Sequence, residues 1–203
     1  MKIAALSVRL LAAATLLCTA AAQAQDAPPV RIRGQIVAMD ATSLTVHRRA
    51  GDDVRIAIAP DQAVGAVKAL KLSDIAKGSY VGTATETTPD GKLVAVEVLV
   101  FPEAARGSGE GHYAWDLMPG AMMTNANVDT VASGVNGRML TLSYKGGTKD
   151  VLVPENVPVV TPTSASRADL MVGKRVFIIA SGSSSSYKAA RVIVEKDGVA
   201  PPM

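Results

Sequence analysis

From Arg31 onward the chain alternates apolar and polar residues with a period of two. Ile32, Gly34, Ile36 and Ala38 share one side of a strand, and Arg31, Arg33 and Gln35 share the other. Leu44 and Val46 point opposite to Thr45 and His47, and Val54, Ile56 and Ile58 alternate with Arg55 and Ala57. Val94, Val96, Val98 and Val100 form a further one-sided row. Such alternation predicts strands that bury one face. Turn chemistry separates the runs at Ala50-Gly51-Asp52, Pro89-Asp90-Gly91, Asn136-Gly137 and Lys145-Gly146-Gly147. Only Leu72 to Lys77 and Arg167 to Val172 read as short helical turns.

The pattern also repeats. Ser73-Asp74-Ile75-Ala76-Lys77-Gly78-Ser79-Tyr80-Val81 is matched about 95 positions later by Ala168-Asp169-Leu170-Met171-Val172-Gly173-Lys174-Arg175-Val176. Both read Asp, aliphatic, two residues, Gly, two residues, Val. Ser43-Leu44-Thr45-Val46 matches Met139-Leu140-Thr141-Leu142, and Ala95 to Val100 matches Ala189 to Val194. Short strands with one helical turn before the later ones predict an all-β fold. The expected architecture is two tandem OB-like barrels of about five or six strands each, at 30–103 and 124–198, joined by a long loop over 104–123.

The first 24 residues read as a signal peptide: Lys2 and Arg9, an apolar run from Leu10 to Ala22, and the small-x-small site Ala22-Gln23-Ala24. The run is short of the roughly 20 apolar residues a spanning helix needs, and no later stretch reaches that length. The single cysteine, Cys18, falls inside it, so the mature chain is expected to hold no disulfide, thiolate metal site or cysteine nucleophile. Removing Lys2 and Arg9 reduces the 21 basic residues to 19 against 18 acidic ones. With aromatic residues at 3%, the mature chain carries neither the basic face nor the stacking platforms of a nucleic-acid binder.

Together, the repeat, the exported start and the joining segment resemble a group of uncharacterised exported proteobacterial proteins with tandem β-barrel domains of unknown function. Some members are labelled metal-transporter permeases, a label that does not suit a chain without a membrane span. The resemblance covers nearly the whole mature chain and implies a fold and a compartment, but no activity.

Chemistry concentrates in the joining segment, which holds His112, the only tryptophan (Trp115), and Met118, Met122 and Met123. A loop of this length in a compact protein is usually functional or mobile. Imidazole and thioether ligands suit Cu(I), so His112, Met118, Met122 and Met123 form a candidate soft-metal set. Glu103, Glu110 and Asp116 could instead join His112 around Zn²⁺. The competing reading makes Trp115 and Leu117 a structural latch, with the methionines filling gaps between barrels. Arg106-Gly107-Ser108-Gly109-Glu110-Gly111 has the glycines of a phosphate cradle, but it lacks the Gly-Lys-Ser/Thr and following helix of a P-loop. No serine sits in a nucleophile elbow, and the carboxylates Glu103 and Glu110, which could act as acid and base, read as a solvated loop pair.

These readings predict a non-catalytic exported protein, periplasmic or otherwise in the envelope. It would bind or scaffold an envelope protein or a small ligand, with no nucleic acid. The alternative is a periplasmic copper-binding protein built on the joining segment.

Overall fold

The structure is a computed structural model that describes residues 28–134 and 136–202. The predicted signal peptide lies outside them. The described residues are all-β, with three short 3-10 turns, and no helix among them is long and apolar enough to cross a membrane. The first half contributes β1 (Val30–Met39), β2 (Ser43–Arg48), β3 (Asp53–Ala57), β4 (Val64–Leu70), β5 (Tyr80–Thr87) and β6 (Leu93–Val100). β7 (Gly111–Ala114) lies in the joining segment. The second half contributes β8 (Met122–Gly134), β9 (Gly137–Tyr144), β10 (Gly147–Pro154), β11 (Val159–Ser164), β12 (Arg175–Ser181) and β13 (Tyr187–Val194).

Pairing closes these strands into two five-membered rings that mix the halves. One ring runs β1–β2–β3–β13–β12 and returns to β1. The other runs β8–β9–β10–β6–β5 and returns to β8. Each takes three strands from one half and two from the other. Each is closed by a short parallel contact, Tyr187 opposite Ile56 in the first ring and Val151 opposite Leu93 in the second. The division expected from the repeat, 30–103 and 124–198, is therefore not the division that pairing makes. The crossing strands β4 and β11 pair antiparallel, with Val67 opposite Pro162 at the centre. Those two residues stand one repeat spacing apart, which marks a pseudo-twofold relation between the halves.

The repeated Asp-aliphatic-x-x-Gly motif explains how each half reaches into the other. Asp74 accepts from the Lys71 N–H (2.9 Å) and Asp169 from the Ser166 N–H (2.7 Å), closing a 3-10 turn in each half. The following aliphatic residue plugs the ring built largely from the other half: Ile75 sits in the core with Leu140, Leu142 and Val151, and Leu170 in that with Ile32, Leu44 and Ile56. Gly78 and Gly173 take positive φ (85° and 93°), conformations open to glycine. Their N–H groups then donate to Val128 and Ile36 of the opposite half, both at 2.8 Å.

Two expectations about strand faces fail. Ala38 does not share the side of Ile32 and Ile36: the register against β2 slips between Ile36 and Ala38, so Ala38 lies opposite Thr45 and is exposed. The row Val94, Val96, Val98, Val100 does not share a side. Opposite β5 the register slips between Ala95 and Glu97, a β-bulge. The buried core accordingly takes Ala95 and then Val98, while Val96 and Glu97 both line the groove outside the ring.

Candidate functional site

The joining segment is not the open loop expected at 104–123. After a 3-10 turn at Glu103–Ala105 it forms β7, which pairs with β8 (His112 opposite Thr124, Tyr113 opposite Met123). Its glycine-rich turn wraps round a side chain that the sequence reading did not single out: Asn125 Nδ2 donates to the carbonyls of Ser108 (3.2 Å) and Gly109 (3.1 Å) and to Tyr113 Oη (3.1 Å). These carbonyls face an amide donor, an arrangement opposite to an anion cradle. Arg106 holds the same turn through Glu103 (2.6 Å), Asn127 (2.5 Å) and the Gly78 carbonyl (2.9 Å).

Beyond β7 the hairpin tip reaches across to the other ring. The backbone N–H of Trp115 donates to Ala121 O (2.8 Å), and the Arg31 guanidinium lies over the indole, 4.1 Å from the ring centroid. Asp116 pairs with Arg33 at 2.9 Å and with Arg31 at 3.6 Å. β7 is thus hydrogen-bonded to one ring while Trp115 and Asp116 grip β1 of the other. Trp115→Ala removes a half-buried ring and a cation–π contact and should lower stability by about 2 kcal/mol in urea denaturation, to the same extent with and without chelator.

Under this hairpin lies a groove of about 1110 Å³ between the rings, lined by Leu117 and Met118 of the tip and by Arg33, Arg49, Val96 and Glu97 below. Glu97 is 2% exposed, and its Oε1 has no hydrogen-bond partner; the buried Nε of Arg33 has none either. Burial pushes the Glu97 carboxyl up to about 7, against the pull of Arg33 and Arg49. A charged-type side chain sealed from water without a partner is costly, so such groups are rare outside functional sites. Glu97 could have been noticed as the one acid inside the apolar run Val94 to Val100, and its repeat counterpart, Arg191, is exposed. Nothing in spacing alone would have joined it to Arg33.

The four proposed soft-metal ligands separate. His112 and Met122 line one hollow, together with Met139 and Lys149. Met118 lines the inter-ring groove instead, and Met123 is buried, 3% exposed, one residue out of phase with Met122 on β8. His112 Nδ1 is 2.9 Å from Thr124 Oγ1, and its ring stacks on Tyr144 with centroids 6.3 Å apart. Burial, aided by Lys149, lowers its pKa, so the imidazole is kept neutral. Among the described residues no group of three or more His, Cys, Asp or Glu could hold a metal ion, which leaves the Zn²⁺ set without support from the geometry. Glu103 is tied to Arg106, Asp116 to Arg33, and Glu110 accepts from the Lys145 N–H (2.9 Å).

Comparison with known proteins found no matching family model, no matching curated protein and no matching solved structure.

Proposed function

We propose that this chain is an exported, non-catalytic binding protein that holds a small ligand in the groove between two strand-exchanged OB-like barrels. The five-strand rings, each plugged by a turn residue, support the OB-like reading. The signal-like start and the likeness to exported tandem-barrel proteins support the cell envelope, periplasm first, as its place. One observation carries the binding role: Glu97 and Arg33 both line this groove, and Glu97 Oε1 and Arg33 Nε are buried without protein partners. The test is the small-molecule content of the protein purified from exporting cells, released by denaturation and read by mass spectrometry. Wild type should release a compound that Glu97→Leu, with an apolar side chain closing the groove floor, does not. Identical content in the two proteins would count against the groove.

A second reading keeps copper, because His112, Met122 and Met139 line one hollow and His112 is held neutral with Nε2 outside its Thr124 contact. Neutral imidazole with thioethers is a Cu(I) donor set. On this reading one equivalent of Cu(I) binds, Met139→Leu weakens it at least tenfold, and Met118→Leu leaves it unchanged. Competition against a chromogenic Cu(I) chelator reads the difference, and equal affinities would remove copper from consideration.

A further inference from the structure

The groove also indicates the chemistry of its occupant. We propose that it binds a small carboxylate with an apolar body, the carboxylate seated between Arg33, Arg49 and the Glu97 carboxyl. This rests on the reading of the groove as a ligand site and narrows it to one class.

The charged groups that face the groove come from several of its walls. Arg33 is on β1, His47 and Arg48 are on β2, Arg49 follows β2, Arg175 is on β12, and Glu195 follows β13. Most are already engaged. Arg48 is tied to Asp52, Arg175 to Glu195 at 3.0 Å, and His47 to Asp53 at 2.7 Å. Arg33 gives Nη2 to Asp116 at 2.9 Å, yet its Nε–H points to no acceptor. No ion pair among the described residues involves Arg49. Arg33, Arg48 and Arg175 are balanced by Asp116, Asp52 and Glu195, which leaves Arg49 as the lining arginine without an ion pair among the described residues.

The donors that remain define what fits. Arg33 Nε–H and the Arg49 guanidinium need an acceptor that carries negative charge, and guanidinium groups match carboxylate geometry well. Ionised Glu97 would repel that acceptor. Protonated, it becomes a third donor, its hydroxyl directed at the same anion. Valines and prolines, Val96, Pro158, Val160, Val176, Val199 and Pro201, supply the rest of the lining, which suits a hydrocarbon body better than a second polar end. Above pH 7 binding then takes up one proton at Glu97, because that carboxyl must be neutral beside the anion.

Octanoate is a suitable probe, largely ionised at both test pH values, with binding read by calorimetry and by emission of Trp115 in the hairpin whose Leu117 and Met118 line the groove. Saturable binding is expected at pH 5.5, about tenfold weaker at pH 8 because the free site, titrating near 7, must then be reprotonated. Glu97→Gln keeps a donor but cannot ionise, so its affinity should be the same at both pH values. Arg49→Ala, at an exposed position, should fold normally and bind at least tenfold more weakly. Octylammonium binding in place of octanoate, or inorganic phosphate displacing octanoate at equal concentration, would overturn the carboxylate assignment while leaving the groove as a ligand site. A wild-type affinity unchanged between pH 5.5 and pH 8 would overturn the role of Glu97. Failure of all three probes, together with identical released small molecules in wild type and Glu97→Leu, would remove the groove reading itself.

Discussion

Cleaved by a protease at a site introduced in the Gly107–Gly109 turn, the chain should run as one particle, and its two fragments should part only in denaturant. Each fragment supplies three strands to one ring and two to the other, so the cut leaves every ring contact in place. The fragments made separately should not fold. Without β12 and β13 the three N-terminal strands expose Ile32, Ile36, Leu44, Val46 and Ile56, all fully buried in the intact chain. Each such side chain contributes about 1.5–3 kcal/mol when buried, so the loss is on the order of 10 kcal/mol, as large as the stability of a typical domain. The same holds for β8 to β10 without β5 and β6, whose core includes Leu140, Leu142, Val151 and Val153. Analytical ultracentrifugation of the nicked protein, with circular dichroism of the separate fragments, reads both expectations. A fragment that folded alone as a compact monomer would show that its strands close within one half and that the exchange is dispensable.

The exchange also explains how much of the fold could be read from the sequence. Strand positions, the two 3-10 turns and the repeat are local or periodic properties, and alternation at Ile32, Leu44, Val54 and Ile56 reports them directly. Which copy of β5 and β6 closes which ring is not local. Ile75 and Leu170 occupy equivalent positions in equivalent motifs, so the motif alone does not say which barrel each one plugs. The choice is made by β4 and β11, which extend and pair with one another through Val67 and Pro162 in place of turning back. Neither strand differs in hydrophobic pattern from one that turns back. The joining segment was legible as unusual, and its Trp115 and Asp116 do meet the opposite ring. Its strand β7 was hidden by the glycines before it, which are needed to wrap the Asn125 amide. Glu97 escaped notice because the bulge at Ala95 changes the phase of β6, so that a residue on the outer face is nonetheless covered by the second ring.

That buried carboxyl sets the second large effect, the pH dependence of stability in the ligand-free protein. In an unfolded chain Glu97 titrates near the ordinary glutamate value of 4.5, and in the folded protein burial raises it to about 7. Below pH 4.5 both forms hold the proton, and the carboxyl imposes no penalty. Between 4.5 and 7 the unfolded chain releases its proton first, so stability falls as pH rises, and above 7 the full loss is present. The difference between the two values corresponds to about 3 kcal/mol. Glu97→Gln should therefore match wild type at pH 4.5 and exceed it by about 3 kcal/mol at pH 8.5. Other groups titrate in the same window, and His112 acts in the opposite sense: its lowered pKa costs stability as pH falls through the folded value. Subtracting the Glu97→Gln curve from that of wild type removes His112 and every other shared group and leaves the Glu97 contribution. A difference curve flat from pH 4.5 to 8.5 would mean that water enters the groove freely and solvates the carboxylate, and the proton-coupled carboxylate site would fall with it. A curve that falls between pH 4.5 and 7 in the free protein and goes on falling above pH 7 when octanoate is added would tie stability and ligand to the same proton, because the ligand then holds that proton on Glu97 to higher pH.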